Sequence, residues 1–239
     1  MANLNFFTGG YYHIFNRGVE KRNIFLEEGD FLRFVHYLYI LNDDQPLSAE
    51  FRQRTKLTYE VSPRRLTPRR LNRKRLVDIL AFCLMPNHYH LFVEQKIENG
   101  ISKFMQKLGT AESMFFNAKY KHTGSVFQGK FKFKKVKNDA QVICLANYIH
   151  INPIDLIEPG WKENGIKNSQ RVMEFLENYR WSSHLDYVGK KNFPSVIDQE
   201  FLRGIVGGSE EFKKIIKETV FNQAEFKKFF KESDFLAIE

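Results

Sequence analysis

Residues 77–95 read VDILAFCLMPNHYHLFVEQ, and this stretch decides the fold. Val77 to Met85 is a nearly continuous apolar run, too short for a typical buried helix and without polar alternation. It predicts a buried central strand. Pro86-Asn87 is a turn signal, and His90 to Gln95 continues as a second strand. The two make a hairpin with His88 and His90 near the start of its second arm. In a strand, residues i and i+2 project from the same face, so both imidazoles point together and Tyr89 points away. Two neutral imidazoles can hold one divalent ion if a third ligand is supplied. The plainer reading is a pair of solvent-facing histidines on a hairpin.

Upstream, Tyr11 to Asn16 (YYHIFN) is aromatic and β-branched and reads as a strand ended by Arg17-Gly18. Asp30 to Leu41 has apolar residues at helical spacing, with Asp30 as its expected cap. Residues 43–76 break the pattern and hold three of the seven prolines. Between Arg52 and Arg75 lie ten cations, Arg69 and Arg70 among them, against the single acid Glu60. That sum, +9, equals the net charge of the whole chain. Such a block reads as a mobile basic insertion rather than a packed element, one able to hold nucleic acid through its backbone.

Downstream, Ile101 to Asn117 reads as a helix, Lys121 to Gly124 as a turn and Val126 to Val136 as an alternating strand. In that strand Lys130, Lys132 and Lys134 share one face and Phe131 and Phe133 the other. The cationic face suits a phosphate backbone, and equally a solvated face over a Phe core. Asp139 to Ile151 reads as a helix capped by Asn138 or Asp139 and stopped by Pro153. Glu158 to Asn168 reads as a loop, Ser169 to Tyr179 as a further helix, and the last 45 or so residues as mostly helical. Tyr148 and Asn152 stand four apart and share a helix face. A phenol can attack a phosphodiester polarised by a metal, and the Asn152 amide oxygen is a candidate third ligand. Alone, the pair reads as readily as a core aromatic and a polar helix end.

The order β-α-β-β-α-β-α predicts an α+β fold: a ferredoxin- or RRM-like central antiparallel sheet with helices packed on it, plus a helical C-terminal tail. The expected division is 1–190 as the main domain and 191–239 as a helical extension. Net charge +9 and a pI near 9.4 favour a polyanionic partner. Cys83 and Cys144 lie in apolar runs, outside any metal spacing, and fit a reducing cytosol. The start of the chain has no signal-peptide pattern, and no stretch approaches the roughly 20 apolar residues that span a bilayer. The expectation is a cytoplasmic protein with no membrane partner.

Five segments in order, YYHIFNRG, LMPNHYHLFVE, GSVFQGKFKFKKV, NYIHINP and YRWSSHLDYVG, closely resemble the HUH-superfamily tyrosine transposases, nearest to the REP-associated group with an IS200-like transposase domain. The similarity runs from about residue 9 to 190. The resemblance implies His88 and His90 as paired metal ligands, Asn152 completing the site, Mg²⁺ or Mn²⁺ as the ion, and Tyr148 as the nucleophile. It implies a single-stranded DNA endonuclease and strand transferase, acting in DNA transposition through a 5′-phosphotyrosine. The expected partner is single-stranded DNA carrying a hairpin, with a monomer favoured over a homodimer.

Arg17 falls in the family's strand-end motif, where a structural and a DNA-contact role are both open. Tyr120, in KYKHTG, is a rival nucleophile without an amide at i+4. His150 points away from Tyr148 and Asn152 on the helix. Glu112-Ser113-Met114 departs from the family pattern, which bears on DNA contacts rather than on the chemistry. Two other functions compete: a catalytically silent or domesticated DNA-binding regulator of the same fold, and a metal-independent RNA-binding sheet.

Overall fold

The computed structural model describes residues 6–45 and 73–222. Arg69 and Arg70, most of the basic stretch and the end of the tail lie outside the described residues. Four strands, β1 (Tyr11–Arg17), β2 (Val77–Met85), β3 (His88–Gln95) and β4 (Lys132–Val136), form one antiparallel sheet in the order β2-β3-β1-β4. Helix α1 (Glu28–Ile40) links β1 to β2, and α2 (Gly100–Tyr120) links β3 to β4. That is the βαββαβ order of a ferredoxin-like sheet. It bears out the α+β expectation.

The hairpin forms, β2 with the expected boundaries and β3 starting two residues earlier than expected, at His88, because its apolar content has nowhere to go but inward: every residue of β2 is buried. Helices α1 and α2 cover one face of the sheet, where Phe34 packs on Tyr89 with ring centroids 5.0 Å apart. The other face carries α3 (Asp139–Ile151), capped by Asn138, whose side chain accepts from the Gln141 backbone N–H at 2.9 Å. Pro153 ends α3 as expected, through a single 3₁₀ turn over Asn152–Leu156. Beyond it come α4 (Trp161–Asn164), α5 (Ser169–Leu176), α6 (His184–Tyr187), α7 (Glu200–Val206) and α8 (Ser209–Phe221). Among the described residues no helix is long and apolar enough to cross a membrane.

Some details differ from the sequence reading. Asp30 is not the cap of α1. Glu27 is, and Asp30 sits at the third helical position of a capping box, fully buried, accepting the Leu26 and Glu27 backbone N–H groups at 2.8 and 3.2 Å. The strand expected over 126–136 shrinks to β4, because Gly129 at φ 149° turns the chain and Phe127 makes only an isolated bridge to Gly18. Lys130 therefore lies in a bend ahead of the strand. A short helix, α4, stands inside the expected loop at 158–168.

The C-terminal end of the basic stretch is tied to the fold. Arg73 donates to the backbone carbonyls of Tyr39 and Asn42 at 2.6 and 2.9 Å, and Arg75 pairs with Asp78 at 2.8 Å. Next to them Asn42, 3% exposed, anchors the start of β2. Its Nδ2 donates to the Val77 carbonyl at 2.8 Å, and its Oδ1 accepts from the N–H groups of Leu76 and Val77 at 3.0 Å each. Asn42→Ala strands three buried backbone groups, and an expected loss of about 3 kcal/mol should appear as a lowered urea midpoint. An unchanged midpoint would show that β2 needs no such anchor.

The segment YRWSSHLDY closes the outer edge of β2. The Leu84 N–H donates to the Trp181 carbonyl and the Ser183 N–H to the Phe82 carbonyl, each at 2.9 Å. The hydroxyls of Tyr179 and Tyr187 donate to the Leu84 and Leu80 carbonyls at 2.6 Å. An open strand edge is a template for aggregation, so this motif is architectural. The described part of the tail joins the same structure: Leu202 and Phe212 share the main core, and Ile216 and Val220 pack with Ile151 and Ile154.

Candidate active site

Strand register assembles the site. Arg17 pairs with His88, Phe15 with both His90 and Lys132, and His13 with both Phe92 and Lys134. Paired residues share a face, so His13, Phe15, Arg17, His88, His90, Lys132 and Lys134 all project to the side that carries α3. The last turn of α3 then lowers Tyr148 and Asn152 onto the histidines. The His88 Nε2 lies 3.2 Å from Asn152 Oδ1. The rings of His90 and Tyr148 meet edge to face, centroids 5.4 Å apart at 80°. The rings of His88 and His90 are 5.0 Å apart at 86°. Helical spacing on α3 and strand spacing on β3 thus converge across the layer interface, within one chain.

The donor set suits a divalent ion. The other nitrogen of His88, Nδ1, sits 2.6 Å from Asn87 Oδ1. A neutral imidazole donates one hydrogen bond, and the shorter contact, to Asn87, takes it. In the neutral ring Nε2 then presents a lone pair toward Asn152 Oδ1, an arrangement that a cation bound by both would relieve. Cis ligands of an octahedral ion at about 2.1 Å stand roughly 3 Å apart, close to this separation. Asn152 is fully buried and its Nδ2 finds no hydrogen-bond partner, so the amide is not held in place by its nitrogen. Among the described residues no cluster of three His, Cys, Asp or Glu side chains is set to hold a metal. The third protein donor on hand is the Asn152 amide.

His90 carries the outer-shell contact typical of a ligating imidazole: its Nδ1 shares a 2.9 Å hydrogen bond with His13 Nε2. Burial, followed by the nearness of His88, His13 and Lys162, holds His90 well below the usual imidazole range, so it stands neutral as a ligand must. His13 went unassigned in the sequence, where it read only as one residue of a strand. Its position in YYHIFN carried the signal, but the register that sets it beside His90 did not.

Tyr148 is 3% exposed and lies beneath Lys162, whose ammonium sits 5.1 Å from the ring centroid. Tyr120, the rival nucleophile, is in the opposite helical layer. Its hydroxyl donates to Asp30 at 2.6 Å, and burial together with Asp30 pushes its pKa up to about 12. His150 points away as expected, with Nε2 2.9 Å from Ser183 Oγ. Glu112 is fully buried between α1 and α2, where desolvation and then Asp30 raise its pKa well above the usual carboxylate range. It faces the core.

Beside the histidines opens a cavity of about 250 Å³. Phe15, Asn16, Arg17, Lys21, Asn87, His88, His90, Gln128, Lys130 and Lys132 line it, with no acid among them. Arg17, Lys130 and Lys132 thus come together there, while Lys134 lies farther along β4, opposite His13. The Arg17 Nε donates to Gln128 Oε1 at 2.6 Å, which fixes the guanidinium at the mouth. Four cations beside an aromatic face and amide side chains suit a phosphate with its base.

Residues 52–152 match the family model described as Transposase IS200 like. The match bears out the IS200-like resemblance over the motifs that it spans, LMPNHYHLFVE, GSVFQGKFKFKKV and NYIHIN. It starts within the basic stretch and ends at Asn152, so it holds His88, His90, Tyr148 and Asn152 together. A solved structure of a REP-associated tyrosine transposase bound to a REP hairpin is similar at a TM-score of 0.48 and 14% identity, over 83% of this chain and 92% of that one. No curated protein matches this chain.

Proposed function

We propose that this chain cuts and rejoins single-stranded DNA in transposition, with Tyr148 as the nucleophile. One observation carries the reading: the Tyr148–Asn152 helix end meets the His88–His90 strand at 3.2 Å and in ring contact. The transposase family match supports the DNA substrate. His88, His90 and Asn152 would hold Mg²⁺ or Mn²⁺, which when bound supplies Lewis-acid polarisation of the scissile phosphate.

The chain's own groups do the rest. The cationic cavity draws in the backbone, and Tyr148 Oη attacks phosphorus in line with the departing 3′-oxygen. The Oη–P bond forms as the P–O3′ bond breaks. The electron pair goes to O3′, which leaves as a hydroxyl with the proton that the phenol gives up through solvent. The product is a 5′-phosphotyrosine, and attack by another 3′-hydroxyl reverses the step and joins strands without a nucleotide cofactor. The packing of the tyrosine helix on the histidine strand of the same chain supports the monomer reading over the homodimer. The test is incubation with a hairpin-bearing oligonucleotide and Mn²⁺, followed by a denaturing gel for covalent protein–DNA adduct.

The silent DNA-binding reading has one observation in its favour, the burial of Tyr148. It expects binding with no adduct, so the same gel decides. In either case Lys130→Ala/Lys132→Ala should weaken oligonucleotide binding across sequences. Loss of two phosphate contacts should also flatten the log–log salt dependence by about 1.4. An unchanged salt slope would take these lysines out of the DNA path.

A further inference from the structure

Lys162 was invisible as a site residue in the sequence, where it fell in an expected loop. It stands on α4, a platform built to hold it. Trp161 beside it is 3% exposed and packs with Ile151, Ile154 and Ile166. Gly160 enters the helix at φ 74°, a left-handed conformation that favours glycine. The Lys162 side chain is only 15% exposed, which is unusual for a lysine. Its Nζ lies 3.2 Å from Asp155 Oδ2 and donates to Tyr148 Oη at 3.5 Å, at the outer edge of hydrogen-bond range. The same ammonium sits 5.1 Å from the Tyr148 ring centroid.

We infer that Lys162 is an electrostatic positioning residue of the cleavage step: its ammonium aims the Tyr148 oxygen and stabilises the negative charge shared by that oxygen and the scissile phosphate. This rests on Tyr148 being the nucleophile. Charge builds on Oη and on the non-bridging oxygens as the Oη–P bond forms and the P–O3′ bond breaks. A fixed cation beside Oη favours that state over the ground state, and it keeps its own protons throughout. Asp155 pairs with the same ammonium at 3.2 Å and restrains it beside the phenol. The competing account makes Lys162–Asp155 a stabilising ion pair for the turn after α3 and nothing more.

The experiment is single-turnover adduct formation by the full chain on a saturating hairpin oligonucleotide with Mn²⁺, for wild type, Lys162→Met and Lys162→Arg, with oligonucleotide Kd and Tm measured alongside. Lys162→Met is expected to slow the saturated rate about 100-fold with Kd unchanged within about twofold. Lys162→Arg, which keeps the charge and the Asp155 pair, is expected to recover at least tenfold of the loss. A wild-type rate in Lys162→Met, or a defect confined to Kd, overturns the inference while leaving Tyr148 as nucleophile. If Lys162→Met proves unstable, Lys162→Gln against Lys162→Arg at equal Tm carries the comparison, and equal rates in those two overturn it as well. Absence of adduct from wild type removes the nucleophile itself, and this inference with it.

Discussion

Tyr148→Phe is expected to abolish the covalent protein–DNA adduct, by at least about 10³-fold, with oligonucleotide binding unchanged. The substitution removes one atom, and that atom forms the new bond, so no residual chemistry through the same route survives. The ring keeps its edge-to-face contact with His90 and its place under Lys162. Folding should therefore hold, with Tm shifted by no more than surface substitutions usually produce. Tyr120→Phe is the informative control. It breaks the 2.6 Å hydrogen bond to the buried Asp30 and should cost about 1–3 kcal/mol of stability, yet leave adduct formation intact. The two variants pull stability and chemistry apart in opposite directions. Undiminished adduct in Tyr148→Phe would exclude Tyr148 as nucleophile, and loss of adduct only in Tyr120→Phe would transfer the role.

The hairpin was legible because local rules sufficed. A nearly continuous apolar run, a Pro-Asn turn and a His-x-His start need no knowledge of distant residues, and β2 and α3 begin and end where the pattern says. The pairings of His88 with His90 and of Tyr148 with Asn152 were legible for the same reason, since each is a spacing within one element. What joins them is tertiary. Nothing local says that α3 packs on the sheet face opposite α1 and α2, nor that β1 registers His13 beside His90. Lys162 is the extreme case. Its neighbours Asp155 and Tyr148 are reached only because the chain turns back after Pro153 on the buried Trp161, and a loop reading of 158–168 erases that return. Strand β4 failed in the other direction: alternation continues through Val126–Phe131, but Gly129 turns the backbone out of the sheet. Asp30 was misread because a capping box places an acid at either end of its first turn, and composition does not say which of Glu27 and Asp30 is outermost.

The second large effect is expected at the ion. EDTA, His88→Ala and His90→Ala should each lower adduct formation by about 100-fold or more, since a polarising ion contributes several kcal/mol to charge stabilisation. The two histidine variants should differ elsewhere. His88 is half-buried at the mouth of the cavity, so His88→Ala should leave stability near wild type. His90 is 3% exposed and bonded to His13, so His90→Ala leaves a buried imidazole short of its partner and should cost about 1–3 kcal/mol as well. Calorimetric titration with Mn²⁺ reads the site without any DNA chemistry: one ion per wild-type chain, and at least about 100-fold weaker binding in His88→Ala at unchanged Tm. Ligation needs a neutral imidazole, so acid should weaken Mn²⁺ binding as protons compete with the ion for the ligands. Adduct formation at the wild-type rate in EDTA would remove the ion from the reaction. The 3.2 Å approach of His88 to Asn152 would then be a protonated imidazole donating to an amide oxygen, and Lys162 would be left as the cation nearest the phenol oxygen.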